Sequence, residues 1–229
     1  MLAEIAETLF LQRSRSLFLP HFEEEALFWV INLSNIHIDE INAAKSFLDQ
    51  ETLNKANRLN LEEDRNRKIL AYAVLRMYLG RIVGQNPKEI QILYTELGKP
   101  YLLGNPVYFN LSHTKEYALF AIHPNKSIGV DIEKIQNNLA LLEIAKTFFF
   151  PSEKEQVIKA PIPLDHFFSI WSGKEAFLKA IGTGFINEQL PCLELMENSG
   201  EIEIYIAQDH KIHIYNYLIE NHKVAVCFH

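Results

Sequence analysis

Apolar and polar positions along the chain fall into two successive series. Residues 26–33 (ALFWVINL) are a short, bulky, apolar run that reads as a buried strand. Asp39 is placed to cap a helix over about 40–58. A longer helix fits 63–83, where Ile69, Leu70, Ala73, Val74, Met77 and Ile82 recur near helical spacing and Gly84 closes the run. Strands are expected at about 89–95 and 107–111. The pattern then restarts at 116. EYALFAI and SIGVDIE read as strands around a turn at 123–126 (HPNK), where Pro and Asn suit a reversal. Helices are expected at about 138–147, 152–159 and 164–181, and strands near 201–206, 211–219 and 222–228. Strand, helices, strand thus occurs twice, which predicts an α+β fold built from two related halves.

Composition narrows the class without naming a chemistry. The 229 residues are 48% apolar and 22% charged, with nine glycines and nine prolines, as in an ordinary globular chain. Lys and Arg number 22 against 29 Asp and Glu, a formal charge of −7 with no basic block. Binding to nucleic acid or to an anionic membrane surface is therefore not expected, although a local phosphate site remains open. Cys192 and Cys227 lack metal or redox spacing, and His210 and His213 read as turn and strand residues. Residues 1–11 carry Glu4 and Glu7 and no basic start, and no apolar run approaches the roughly 20 residues of a membrane helix. These features suggest a cytoplasmic protein with reduced cysteines.

Two segments carry chemistry. In GVDIE (129–133), Asp131 and Glu133 stand at i and i+2, on one face of a strand. Such a pair either enters solvent or shares a hard cation such as Mg²⁺. In WSGKEAFLKAIGTG (171–184), Trp171, Glu175 and Lys179 follow at i, i+4 and i+8 of a helix. They are either an exposed Glu–Lys pair beside a core tryptophan, or a carboxylate framed by Lys174 and Lys179 at a metal–phosphate site. Other candidates are more scattered: Lys99 in the GKP turn (98–100), Ser112 and His113 in NLSH (110–113), Lys55, Arg58, Arg67 and Lys68 on the first helices, and Glu153 after FFFP (148–151).

Taken in order, GKP, NLSH, GVDIE, FFFPSE and WSGKEAFLKAIGTG resemble the 4′-phosphopantetheinyl transferase superfamily, in its long, single-chain Sfp type. The resemblance runs from about Asp49 to the closing VAVCFH. It implies two similar α/β halves related by pseudo-twofold symmetry, with coenzyme A in the cleft between them. The boundary would fall near the 123–126 turn, giving a nucleotide-side half (1–124) and a metal and pyrophosphate side (125–229). It also implies a transferase that moves the phosphopantetheine arm of coenzyme A onto a serine of an acyl or peptidyl carrier protein and releases adenosine 3′,5′-bisphosphate.

Carried over by position, the resemblance makes Asp131, Glu133 and Glu175 ligands of Mg²⁺, with Mn²⁺ as an alternative. Lys174 and Lys179 would contact the pyrophosphate, and Lys99, Ser112 and His113 the nucleotide and its phosphates. Lys55 would lie near the 3′-phosphate, Arg67 and Lys68 toward the adenine. Lys179 would also assist catalysis, with Glu175 as first candidate for the base and Glu153 as second. Ala176, Phe150 and Lys68 depart from residues common in the family, Lys68 replacing a hydroxyl residue. The expected enzyme is a monomer that meets its carrier transiently, through short-range and partly apolar contacts; Phe148–Phe150 or Phe185 and Ile186 either supply these contacts or pack internally. A Mg²⁺-dependent phosphatase or pyrophosphatase, and a non-catalytic binder of coenzyme A, are the competing readings.

Overall fold

The computed structural model describes residues 8, 10–16, 26–104, 106–136, 141–183, 194–198, 201–206 and 210–229. Its elements in chain order are β1 (Ser14–Ser16), β2 (Leu27–Asn32), α1 (Ile38–Lys45), α2 (Gln50–Asn57), α3 (Glu62–Val83), β3 (Ile92–Tyr94), β4 (Pro100–Leu102), β5 (Tyr108–His113) and β6 (Tyr117–His123). There follow β7 (Ile128–Lys134), α4 (Leu141–Phe148), α5 (Pro151–Lys159), α6 (Pro163–Ile181), β8 (Glu194–Asn198), β9 (Glu201–Ile206), β10 (His210–Ile219) and β11 (His222–Phe228).

Two antiparallel sheets result, ordered β1-β2-β6-β5 and β7-β11-β10-β9-β8, with β3 and β4 as a separate ribbon. The wiring of the halves is the same. A strand (β2 or β7) leads through three helices to a hairpin (β5–β6 or β10–β11), and the hairpin's second strand pairs with both the first and the strand that opened the half. The repeat expected from the element order is therefore present in the strand order too.

The apolar strands make sense as a layered stack. On β2, Trp29 and Ile31 join the core under α1–α3, whereas Phe28 and Val30 face the other sheet. On β11, Ala225 and Cys227 pack under α6, whereas Val224 and Val226 join Phe28, Val30, Leu119 and Ala121 in the core between the sheets. Helices thus cover the outer face of each sheet and the inner faces meet. Strands buried on both faces read as continuous apolar runs, which is how 26–33 looks in sequence.

Local differences from the sequence reading have identifiable causes. The helix expected over 40–58 is two helices, because the Asp49 carboxylate accepts the Thr52 N–H at 2.7 Å and starts α2 anew, while Arg76 from α3 pairs with the same carboxylate. α1 is capped not by Asp39 but by Glu40, which accepts the His37 N–H at 2.8 Å. The strand expected at 89–95 shrinks to β3, and the residues after the GKP turn form its partner β4. β1 and β8 carry no pattern the sequence reading detects. His210 and His213 both lie on β10. Cys227 is buried and free, whereas Cys192, Phe185 and Ile186 lie outside the described residues. Among the described residues, no helix is long and apolar enough to cross a membrane.

Candidate active site

β7 sorts its side chains by parity. Ile128, Val130 and Ile132 enter the core between the sheets, so Gly129, Asp131 and Glu133 take the face that α6 covers. α6 presents Trp171, Glu175 and Lys179 along one stripe. Trp171 Nε1 donates to Glu133 Oε1 at 3.2 Å, and Lys179 Nζ donates to Asp131 Oδ1 at 2.6 Å. Glu175 lies between these two rungs in sequence, close enough to Asp131 and Lys179 to feel both charges.

The first half contributes through β5. Ser112 Oγ donates to Asp131 Oδ1 at 2.9 Å and accepts from Lys179 Nζ at 3.0 Å. Two residues earlier on the same face, Asn110 Oδ1 accepts the Val130 N–H at 3.0 Å. The NLSH segment therefore ties β5 to β7 and places its serine beside the acids.

Burial sets the electrostatics of the cluster. Desolvation, reinforced by the neighbouring Asp131 charge, pushes Glu133 and Glu175 each up to about 7. Interacting carboxyls of this kind release their protons as a set rather than singly. Burial alone would depress the Lys179 ammonium, but Asp131 and Glu175 outweigh it and hold its proton above the ordinary lysine range. Asp131 is 2% exposed, and its Oδ2 is buried with no hydrogen-bond partner. Among the described residues no three His, Cys, Asp or Glu side chains are drawn into a ready-made cage, and Lys179 supplies the positive charge nearest Asp131. An orphaned carboxylate oxygen beside two proton-retaining carboxyls is nevertheless a donor set that fits a hard divalent cation.

Cations lead away from this cluster. His113, at the end of β5, has its imidazole pushed down by desolvation within the cleft and by the charges of Lys179 and Lys68. Lys68 is pushed down in turn by burial and by Lys55. His113, Lys68 and Arg67 line one cavity of about 420 Å³ with Leu33, Leu59, Asp64, Thr114 and Lys115. Lys55 pairs with Glu51 at 2.8 Å and stands 3.9 Å above the Tyr94 ring. The charge of Lys179 thus reaches His113, and that of Lys55 reaches Lys68, a succession of cationic groups suited to a polyanion.

Three expectations need correction. Lys174 and Glu153 do not join these groups: their side chains are both 0% exposed and form an ion pair at 2.7 Å. Lys174 also donates to the Phe148 carbonyl at 3.0 Å, and Glu153 accepts the Phe150 N–H at 2.7 Å. The helical position next to Glu175 turns Lys174 into the core, where it braces the start of α5. In this arrangement Glu153 is a sealed, paired carboxylate whose Oε2 is turned to Lys174 and the Phe150 N–H, not toward the acid cluster of β7 and α6. Lys99, expected at the nucleotide and its phosphates, is engaged elsewhere as well. Its Nζ donates to Ser127 Oγ and the Ala180 carbonyl, its stem lies against Gly182 at the end of α6, and burial lowers its pKa to about 8. As for the aromatic run, Phe149 stacks on Phe167 with ring centroids 5.0 Å apart and Phe148 meets Trp171 edge-on at 5.9 Å, so both serve packing.

Two family profiles match successive parts of the chain. The profile of the 4′-phosphopantetheinyl transferase superfamily matches residues 127–227, and that of the 4′-phosphopantetheinyl transferase N-terminal family matches 36–125. The 4′-phosphopantetheinyl transferase HetI of Nostoc sp. is 33% identical over 167 residues, covering 70% of each chain. The chain belongs to the 4′-phosphopantetheinyl transferase superfamily. A Bacillus subtilis 4′-phosphopantetheinyl transferase is 31% identical to this transferase over 196 residues, covering 82% of this chain and 84% of its own. Among solved structures, the holo-(acyl-carrier-protein) synthase of Thermotoga maritima superposes with a TM-score of 0.39 at 20% identity, over 44% of the transferase and 61% of that chain.

Sequence reasoning undervalued two residues of the transferase. Asn110 opens the NLSH segment, yet its bond to the Val130 backbone depends on two strands meeting across the halves. Trp171 was legible as part of the α6 stripe, but its indole N–H has meaning only once β7 lies beneath it.

Proposed function

We propose that this transferase moves the 4′-phosphopantetheine arm of coenzyme A onto a serine of an acyl or peptidyl carrier protein, with Asp131, Glu133 and Glu175 holding a divalent cation, Mg²⁺ or Mn²⁺. The observation that carries the proposal is the meeting of Asp131 with Lys179 and Ser112 across the two halves, with Glu133 and Glu175 within reach of the Asp131 charge, beside a succession of cationic groups. Coenzyme A has the matching outline, a pyrophosphate joined to a 3′-phosphorylated nucleoside. Its pyrophosphate would lie at Lys179 and Ser112, and its nucleotide phosphates toward His113, Lys68, Arg67 and Lys55. Lys99 joins that set only by leaving the Ala180 carbonyl. The nucleotide thus falls to residues 1–124, the cation to residues 125–229, and the pyrophosphate to Ser112 of the first half and Lys179 of the second. Both come from one chain, so a monomer suffices.

The carrier serine oxygen attacks the β-phosphorus of coenzyme A. The bond from that phosphorus to the bridging oxygen breaks, and adenosine 3′,5′-bisphosphate leaves with the electron pair. Positioning and neutralisation of charge on oxygen account for most of such a transfer. Lys179 neutralises the leaving oxygen, and Ser112 fixes the lysine's direction. Glu175, whose pKa of about 7 suits proton exchange near neutrality, accepts the proton of the serine hydroxyl. A bound divalent cation would add charge neutralisation at the pyrophosphate oxygens.

Apo carrier proteins of the fatty-acid, polyketide and nonribosomal-peptide types, incubated with the protein, Mg²⁺ and coenzyme A, test the reading. Mass spectrometry should show at least one carrier gaining a single phosphopantetheine, and Glu175→Gln should abolish the gain while its thermal unfolding stays that of the wild type. Cleavage of coenzyme A without any carrier would instead support the hydrolase reading, and wild-type turnover in Glu175→Gln would remove Glu175 from the mechanism.

A further inference from the structure

Trp171 holds a position that the transfer chemistry above does not use. Its ring is half-buried, wedged by edge-on contact with Phe148 at 5.9 Å, while its N–H is directed at the Glu133 carboxylate at 3.2 Å. Indole has a single donor and no acceptor, so this bond binds the carboxylate form and offers nothing to a competing cation. Glu133 is also the less buried of the two acids on β7, one residue from the end of the strand. Asp131 is fixed by Ser112 and Lys179, whereas Glu133, with a longer side chain, depends on a partner from α6.

We infer that Trp171 is a positioning residue: its indole N–H fixes one oxygen of Glu133 and thereby sets the affinity of the acid cluster for its divalent cation. The inference rests on the proposed role of Asp131, Glu133 and Glu175 as ligands of that cation. The arrangement is economical because the residue spacing that brings Glu175 and Lys179 to Asp131 brings Trp171 to Glu133 at the same time. Hydrogen-bond partners of metal-binding side chains typically change metal affinity about 10–100-fold when removed.

Mn²⁺ binding, read by electron paramagnetic resonance of the free ion with and without coenzyme A, provides a measurement independent of turnover. Trp171→Phe, which keeps a ring against Phe148 but lacks the N–H, should weaken Mn²⁺ binding about tenfold with a wild-type unfolding temperature. Glu133→Gln should weaken it further, and adding Trp171→Phe to Glu133→Gln should change nothing more. Wild-type affinity in Trp171→Phe, or an equal further loss on the Glu133→Gln background, overturns the inference while leaving the cation site intact. Wild-type affinity in Glu133→Gln and Asp131→Asn overturns the cation reading itself, and the inference with it. If Trp171→Phe fails to fold, benzothienylalanine at 171, of nearly the same shape but with sulfur in place of N–H, carries the same comparison.

Discussion

Gly129 decides how close α6 can come to the strand that bears the acids. A Cβ there would stand 2.0 Å from the Ala176 carbonyl oxygen and 2.3 Å from the Ala180 nitrogen. Both are backbone atoms of a helix and cannot step aside singly. Gly129→Ala should therefore lift α6 from β7, costing about 1–3 kcal/mol or more in urea unfolding, and it should depress transfer further by separating Glu175 and Lys179 from Asp131. Retention of wild-type stability would show that the helix has slack there. Residue chemistry was partly legible in the sequence, because i and i+2 on a strand, and i, i+4 and i+8 on a helix, are fixed by local geometry. Asp131, Glu133, Glu175 and Lys179 could be grouped that way. The fates of Lys174 and Lys99 could not, since whether a lysine faces a cleft, a buried glutamate or a helix end depends on neighbours far away in the chain.

Among the elements, α5 is tied to α6 by the Glu153–Lys174 pair, closed off by Phe149 and Phe150 within 5.3 and 5.6 Å of the ammonium. Removing one member leaves a buried charge alone, and Lys174→Met should cost about 3–5 kcal/mol. The double variant Glu153→Gln, Lys174→Met should recover most of that loss in chemical denaturation and regain transfer activity. Activity that stays lost after stability returns would restore a direct role for one of the two. At this scale the sequence marked where helices end but not every break within them. Gly84 and Gly182 take the left-handed conformation that closes α3 and α6. The break between α1 and α2 was hidden because Asp49 looks like any helical acid until Arg76 arrives from α3 to hold it.

For the molecule as a whole, the acid cluster is a source of instability above neutral pH that a bound divalent cation would relieve. Glu133 and Glu175 have ordinary pKa values of 4.5 and are pushed up to about 7, so each binds its proton more tightly folded than unfolded. The stability this contributes is complete below about 4.5 and lost as pH rises through about 7, for a total of about 1–3 kcal/mol after allowance for partial exposure. With the cation removed by EDTA, the unfolding temperature should fall between about pH 5 and pH 8, and Mg²⁺ should raise it more at the upper end. A gain from Mg²⁺ that is equal at both ends would mean the ion binds elsewhere. The duplicated order of elements was readable from the sequence, whereas the face-to-face meeting of the sheets was not, because strands apolar on both sides do not say which side meets which layer.

The wiring also governs when the site can exist during synthesis. In each half the strand made last occupies the middle of the sheet, so β7 finds its sheet partner only when β11 has been translated. The first half can close once β6 is complete, but the strand bearing Asp131 and Glu133 waits through three helices and two hairpins with its ladder groups unpaired. Until then the nascent chain must keep the side of β7 that β11 later takes from pairing with other chains.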